Sequence, residues 1–232
     1  MSKLTLYVCR HGKTLMNTLD KVQGWCDSPL TQEGIDVARY LGYGLSDIKF
    51  RSAYCSDLRR TRQTAQIVLG SSNQDDIPII EVAGFREACF GSFEADFNAH
   101  MWGSAALYLQ YTTPEKMYED ILNRKISYRE ILNVIKKIDK MGIAENFQEL
   151  EARTQESLKE VAESEIKAGS GNVLIIAHGM SILGMLSSLG GDKLLKGHLD
   201  NAAVCKVIYE NGKFTVESMG DMSYVHKGRE SK

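Results

Sequence analysis

The chain has 232 residues, of which 43% are hydrophobic and 25% charged, with a formal net charge of -2. This composition excludes an intrinsically disordered chain, and the near-neutral balance removes the general electrostatic case for nucleic acid or an acidic membrane as partner. Its length fits one large domain, or one domain carrying an insertion.

The elements read as follows along the chain. A buried strand covers residues 4–8, a helix 31–45, a strand 52–56, a helix 58–70 and a strand 77–82. Residues 98–145 then break the rhythm with two tyrosine-rich helical patterns and no strand, so they are expected to form a helical insertion over the sheet edge. A helix follows over 146–169, a strand over 173–177 and a helix over 180–190. Strands over 202–210 and 213–219 close the chain, joined through Asn211-Gly212, a strong hairpin signal. Unbroken apolar strands separated by helices imply an α/β fold: a three-layer sandwich whose mixed, mostly parallel central sheet carries helices on both faces. With only three prolines and no low-complexity linker, residues 1–232 read as a single domain with its insertion at about 98–145.

Five cysteines, Cys9, Cys26, Cys55, Cys89 and Cys205, are scattered without a CxxC pair, so neither a disulfide framework nor a thiolate zinc site is expected. The N-terminal apolar stretch is too short for a signal peptide or a membrane span. Free thiols and no export signal point to the cytoplasm.

Chemistry concentrates where strands run out. The first strand ends in Arg10-His11-Gly12, and GKT at Gly12–Thr14 imitates the tail of a P-loop. That loop needs a glycine five residues earlier, where this chain has Tyr7. His178 and Gly179 follow the strand at 173–177 in the same context, and ligands of α/β sheets bind beyond the carboxyl ends of strands. A lone histidine is more often structural, but two in matching positions can converge on one site.

The run SDLRRTRQTA, from Ser56 to Ala65, places Arg59, Arg60 and Arg62 in the first turns of a helix, with Asp57 as its expected N-cap. Arginines there oppose the helix macrodipole. Pairing with Asp57 or Glu33 would compensate some of them, and a bound phosphate would compensate the rest. Glu87, on the loop after residues 77–82, would supply a proton donor. No HExxH or HxH occurs, His100, His198 and His226 stand far apart, and Asp75-Asp76 sits in a turn, so neither a metal nor another cofactor is expected.

RHGKTLMN, QGWCDSPLTQEGIDVA, SDLRRTRQTA, FREACFGSFE and IIAHGMS occur in one order along nearly the whole chain. In these motifs the sequence resembles the histidine phosphatase superfamily, in its phosphoglycerate mutase-like branch. The resemblance implies that His11 is the nucleophile, phosphorylated during turnover. It makes Arg10, Arg60 and His178 ligands of the phosphoryl group, with Asn17 a further contact, and Glu87 the proton donor. Gln23, Gly24 and Gly179 would border the substrate. Charge spread over three equatorial oxygens would be met by Arg10, Arg60 and a protonated His178.

Mutases of that family carry an arginine after the glutamate and a lysine eleven residues beyond it, where this chain has Ala88 and Asn98. The paired arginines of their insertion have no counterpart either. The resemblance therefore favours a metal-independent phosphatase acting on small phosphomonoesters over a cofactor-dependent phosphoglycerate mutase. A catalytically idle binder of phosphorylated ligands is the remaining class, and loss of His11, His178 or Glu87 would have marked it. Glu94-Ala95 departs from the Glu-Gly common in the phosphatases. Cys9 and Cys89 flank catalytic motifs and are expected to be buried and inert, and Tyr108, Tyr111, Tyr118 and Tyr128 to pack on the core. The expected partner is a small phosphorylated substrate; the sequence carries no signal of oligomeric state.

Overall fold

The computed structural model describes residues 2–195 and 198–231; the two ends of the expected 1–232 span lie outside these. Strands β1 (Lys3–Arg10), β2 (Phe50–Cys55), β3 (Ile79–Glu81), β4 (Gly171–Ala177), β5 (Val204–Glu210) and β6 (Lys213–Asp221) form a six-stranded sheet in the order β3-β2-β4-β1-β5-β6. The first four pair in parallel, and β5 and β6 extend the sheet antiparallel. The helices are α1 (Leu15–Thr18), α2 (Gln32–Gly44), α3 (Arg59–Ser71), α4 (Asn98–Tyr108), α5 (Pro114–Leu122), α6 (Tyr128–Ile138), α7 (Phe147–Ile166), α8 (Gly179–Leu186) and α9 (Ser223–Glu230).

The central strands are apolar throughout because both of their faces are covered. Leu4, Leu6 and Val8 of β1 join Val173 and Ile175 of β4 in a core under α7 and α8, which contribute Leu158, Val161, Ile182 and Met185. Tyr7, Cys9, Leu174 and Ile176 point the other way, into a core with Leu41, Val68 and Val225 of α2, α3 and α9. This is the expected three-layer α/β arrangement with a mixed sheet. A third cluster joins Met117, Ile121, Ile131 and Ile135 of α5 and α6 to Phe90, Phe93 and Phe147.

Several boundaries differ from expectation for local reasons. The strand expected over 77–82 shrinks to Ile79–Glu81, because the Ile77 amide is committed to the Gln74 carbonyl and Pro78 has no N–H to give. The strand expected from 202 begins at Val204, after Ala202 turns through a φ of 62°. The helix expected over 180–190 ends at Leu186, in a 3₁₀ turn leading to left-handed Gly190. Between 98 and 145 stand three helices rather than two. The unforeseen α5 opens with a Thr113 cap and Pro114 at its first position, a signal present in the sequence. The Asn211-Gly212 hairpin is as expected, both residues having positive φ, 53° and 75°.

The register places the site. Arg10 at the end of β1 lies beside Ala177 at the end of β4, and Cys55 of β2 beside Ile176. Three neighbouring parallel strands thus release His11, His178 and Ser56 from one edge of the sheet. Close packing of α2 against the loop after β1 requires glycine on both sides: a Cβ on Gly12 would stand 2.6 Å from the Gly34 carbonyl oxygen, and one on Gly34 2.0 Å from that of Lys13.

Candidate active site

His11 is 3% exposed and held on several sides. Its amide donates to the Ala177 carbonyl, its own carbonyl accepts from Asn201 Nδ2 at 2.9 Å, and the next amide, of Gly12, donates to Thr64 Oγ1. Ring atom Nδ1 lies 2.8 Å from the Gly12 carbonyl oxygen. A carbonyl only accepts, so Nδ1 carries the hydrogen and Nε2 is left with a bare lone pair. Burial, then Arg60 and Arg10, hold the pKa of His11 well below the ordinary imidazole value. The ring is therefore neutral and of fixed tautomer, with Nε2 free to attack an electrophile.

His178 is fully buried, its ring centroid 5.1 Å from that of His11. Its Nδ1 accepts from Arg60 Nε at 3.1 Å, and its Nε2 lies 2.7 Å from Ser56 Oγ. Ser56 in turn reaches Thr61 Oγ1 at 2.9 Å, and Thr61 donates to backbone carbonyls of Ser56 and Leu58. The directions agree only if Nδ1 is bare and Nε2–H donates to Ser56. Burial, Arg60, His11 and Arg10 push the His178 pKa well below normal. In this arrangement His178 is neutral and acts as an acceptor for arginine; the protonated form expected from the sequence is that of a site holding the phosphoryl group.

Arg60 is wholly buried at the start of α3. Nη1 donates to the Cys26 carbonyl at 2.9 Å and to Asp27 Oδ1 at 3.0 Å, and Nη2 to the Gly24 carbonyl at 2.8 Å. The compensating carboxylate is Asp27, not Asp57 or Glu33. Asp57 does not cap α3, as expected from its position; Leu58 occupies the cap and Asp57 binds Arg86 through both oxygens. A bidentate ion pair outbids a single cap hydrogen bond. Arg62 pairs with Glu81 on the surface, and Arg59 is exposed.

Arg10 gives Nη1 to the Leu199 carbonyl, while its buried Nε has no partner among the described residues. A Cβ on Gly179 would lie 3.6 Å from that Nε and 3.7 Å from Glu87 Oε2, which locates all three residues together. Glu87 is 7% exposed and accepts from the amides of Ala88, Met180 and Ser181 at 2.8–3.0 Å. Burial raises its pKa above the usual carboxylic value, against the opposing pull of these amides and of Arg60.

The structure thus gathers Arg10, His11, Arg60, Glu87, His178 and Gly179. Asn17 and Gln23 instead serve the loop before them: Asn17 Oδ1 accepts from the Thr14 amide, and Gln23 bonds Thr14 and Ser28. Gly24 lies against residues 88–94, since a Cβ there would meet Glu94 Oε1 and the Ala88 carbonyl oxygen at 2.2 Å. Glu94 accepts from the amides of Gly24, Trp25, Cys26 and Phe90 at 2.9–3.1 Å, fixing the loop whose carbonyls hold Arg60.

Asp27, Ser56 and Asn201 were not singled out from sequence as site residues, and neither was Arg153. From the middle of α7, Arg153 donates to the carbonyls of Gly84, Arg86 and Glu87 at 2.8–3.0 Å and pairs with Glu145, which itself accepts from the Cys89 amide. Trp25 Nε1 donates to the same Glu87 carbonyl at 3.0 Å. Cys9 and Cys89 are buried, and burial pushes both thiols up, so neither is a ready thiolate. Tyr111 and Tyr128 pack against the apolar cluster of the insertion, whereas Tyr108 and Tyr118 are exposed, contrary to expectation. Among the described residues no group of three His, Cys, Asp or Glu side chains is placed to hold a metal ion, and no helix is long and apolar enough to cross a membrane.

The model of the "Histidine phosphatase superfamily (branch 1)" matches residues 6–222. The crystal structure of a phosphoglycerate mutase from Bacillus anthracis superposes with a TM-score of 0.92 at 39% identity, covering 98% of this chain and 97% of that one. The 2,3-bisphosphoglycerate-dependent phosphoglycerate mutase 2 of Gloeobacter violaceus is 28% identical over 184 residues, 79% of this chain and 74% of its own. A broad-specificity phosphatase of Saccharomyces cerevisiae is 36% identical over 93 residues, 39% of this chain and 40% of its own. Relatives of both kinds, mutase and phosphatase, are therefore similar to this chain.

Proposed function

The chain belongs to the histidine phosphatase superfamily (branch 1), and on that premise we propose that it hydrolyses small phosphomonoesters through a phosphohistidine on His11. The observation that carries this reading is the bare Nε2 of His11, its tautomer fixed by the Gly12 carbonyl, beside a buried carboxyl of raised pKa.

Nε2 attacks phosphorus and the bond to the alcohol oxygen breaks. That oxygen takes the proton of Glu87, which its raised pKa keeps available. Water then attacks the phosphohistidine, Glu87 accepts its proton, and phosphate leaves with His11 neutral again. Through both steps Nδ1–H stays on the Gly12 carbonyl, which stabilises the positive charge of the phosphorylated ring. Arg10 Nε, a buried donor without an acceptor among the described residues, is free to meet the transferred group, and the anchored Arg60 adds fixed positive charge. Burial and then the arginine field keep His178 neutral; a phosphoryl dianion opposes both, so His178 gains a proton as the dianion binds and becomes a donor to it.

Hydrolysis is favoured over mutase turnover because the two positions that carry cations in family mutases are here Ala88, fully buried, and Asn98, whose amide is held by Asp20 at 2.8 Å. The arginines supply the charge neutralisation, and no metal is assigned to the reaction. Residues 1–232 are proposed as one domain, and the free thiols support a cytoplasmic location.

The test is p-nitrophenyl phosphate hydrolysis by EDTA-treated protein beside His11→Ala, together with 3-phosphoglycerate and 2,3-bisphosphoglycerate. Activity that survives EDTA and is lost in the variant supports the reading. Formation of 2-phosphoglycerate faster than release of phosphate would overturn it in favour of a mutase.

A further inference from the structure

A pocket of about 380 Å³ lies between the helical insertion and the far end of α8. Its walls are mostly apolar: Ile121 and Ile126 from the α5–α6 corner, Phe147 at the start of α7, Leu183 of α8, Leu195 beyond it and Met219 of β6. It does not contain His11 or Glu87, and its relation to them comes through two elements.

The first is α8. This helix begins at Gly179, in contact with Arg10 and Glu87, and Leu183 and Ser187 stand four and eight residues later on the same face. At 1.5 Å per residue, Leu183 lies about 6 Å along the axis from Gly179. The second is Tyr128, which lines the pocket and is near enough to Arg10 for their charges to act on one another. Leu183, on the pocket wall, therefore stands about one helical turn from the Gly179 that adjoins the Arg10 guanidinium.

Its charges are few and of both signs. Arg129 is paired with Glu151 at 2.9 Å and lies over the Phe147 ring. Arg124 donates to the Leu195 carbonyl, and Asp192 also lines the pocket. A second phosphate or a carboxylate would find no cradle here comparable to that around His11.

Resting on the phosphatase reading, we propose that this pocket receives the alcohol part of the substrate, and that this alcohol is uncharged and largely apolar. At about 30 Å³ per water-sized group the volume holds on the order of ten non-hydrogen atoms. The substrate class is thus an amphipathic phosphomonoester, anchored by phosphate at Arg10 and by its chain between Ile126 and Leu183.

Two series separate this proposal from the reading it rests on. Binding of ethyl- to octylphosphonate, measured by calorimetry, needs no turnover; hydrolysis of the matching alkyl phosphates does. Affinity should rise about two- to fourfold per methylene until the pocket is full, and kcat/KM should follow. In Leu183→Trp, which fills the pocket, and in Leu195→Asp, which charges it, the ratio of octyl to ethyl affinity should collapse towards one. Flat affinity along the series in the native protein overturns the pocket, whatever the hydrolysis shows. Rising affinity without hydrolysis keeps the pocket and overturns the phosphatase. An unchanged octyl-to-ethyl ratio in both variants also overturns the assignment.

Discussion

Arg60 Nε donates to His178 Nδ1 across 3.1 Å, so a cation and an imidazole are bonded to each other while fully buried. The contact is stable only while the imidazole is neutral, because two buried cations in hydrogen-bond contact repel. A dianion arriving between them reverses that preference. Phosphate or vanadate binding should therefore take up a proton at about pH 7, where His178 is neutral in the free protein. Calorimetry in buffers of different ionisation enthalpy measures this uptake directly. His178→Gln should abolish it, and binding with no uptake in the native protein would rule out the switch.

In the proposed mechanism Glu87 and His11 set the pH profile. The rate requires His11 neutral, which holds above its depressed pKa, and Glu87 protonated, which holds below its raised one. Activity on alkyl phosphates should thus fall as pH rises through the raised Glu87 pKa. Glu87→Gln should remove that alkaline limb and lower kcat about 10²–10⁴-fold for alkyl esters. The loss for p-nitrophenyl phosphate should be much smaller, because its leaving group departs without a proton. Equal losses on both substrates would contradict the assignment.

Arg153 never meets the phosphoryl group, yet it donates to three carbonyls around Glu87 and pairs with Glu145. Arg153→Met should destabilise the fold by about 2–4 kcal/mol, since it strands the partners of a largely buried ion pair. At a temperature where the variant is folded, the alkaline limb of its pH profile should shift, as Glu87 is no longer held in place. A lowered Tm with an unshifted profile would reduce Arg153 to a purely structural brace.

Ala95 adopts a φ of 65°, a conformation that costs an L-residue with a Cβ roughly 1–2 kcal/mol. Its amide and carbonyl are nevertheless both bonded, to Val22 and Lys21, so the turn is imposed by its surroundings. Ala95→Gly should raise the urea midpoint by an amount worth about 1 kcal/mol without altering KM. An unchanged or lower midpoint would show that unfolded-state entropy of the glycine cancels the relief.

What the sequence disclosed was whatever local pattern records. An apolar run followed by His-Gly, twice, marks two strand ends, and parallel pairing of β1 with β4 then brings His11 and His178 together. The arginine-rich start of α3 read as cations in need of anions, and Arg60 and Arg62 do meet carboxylates, but those are Asp27 and Glu81 rather than the expected Asp57 or Glu33. Asp57 sits where a cap belongs, and only the fold reveals that Arg86 reaches it from 29 residues away. Arg153 was illegible for the same reason. In a helix dense with charged residues nothing distinguishes the side chain that turns inward from those that meet water, and the targets of Arg153 lie 66–69 residues back. The neutrality of His178 was hidden because it depends on which atom of Arg60 it faces.

The loop at Gly24–Asp27 is gripped from both sides, its amides by Glu94 and its carbonyls by Arg60. Peptide planes lie between an anion and a cation like links in a polarised chain, so the two charges communicate through main chain alone. The Cys26 thiol meets Met16 and the Val22 carbonyl, but the grip on the arginine does not pass through it. Proline there would cut one link by removing an N–H. Such a loop lets the rim of the site change its shape over generations without loosening the electrostatic frame beneath it.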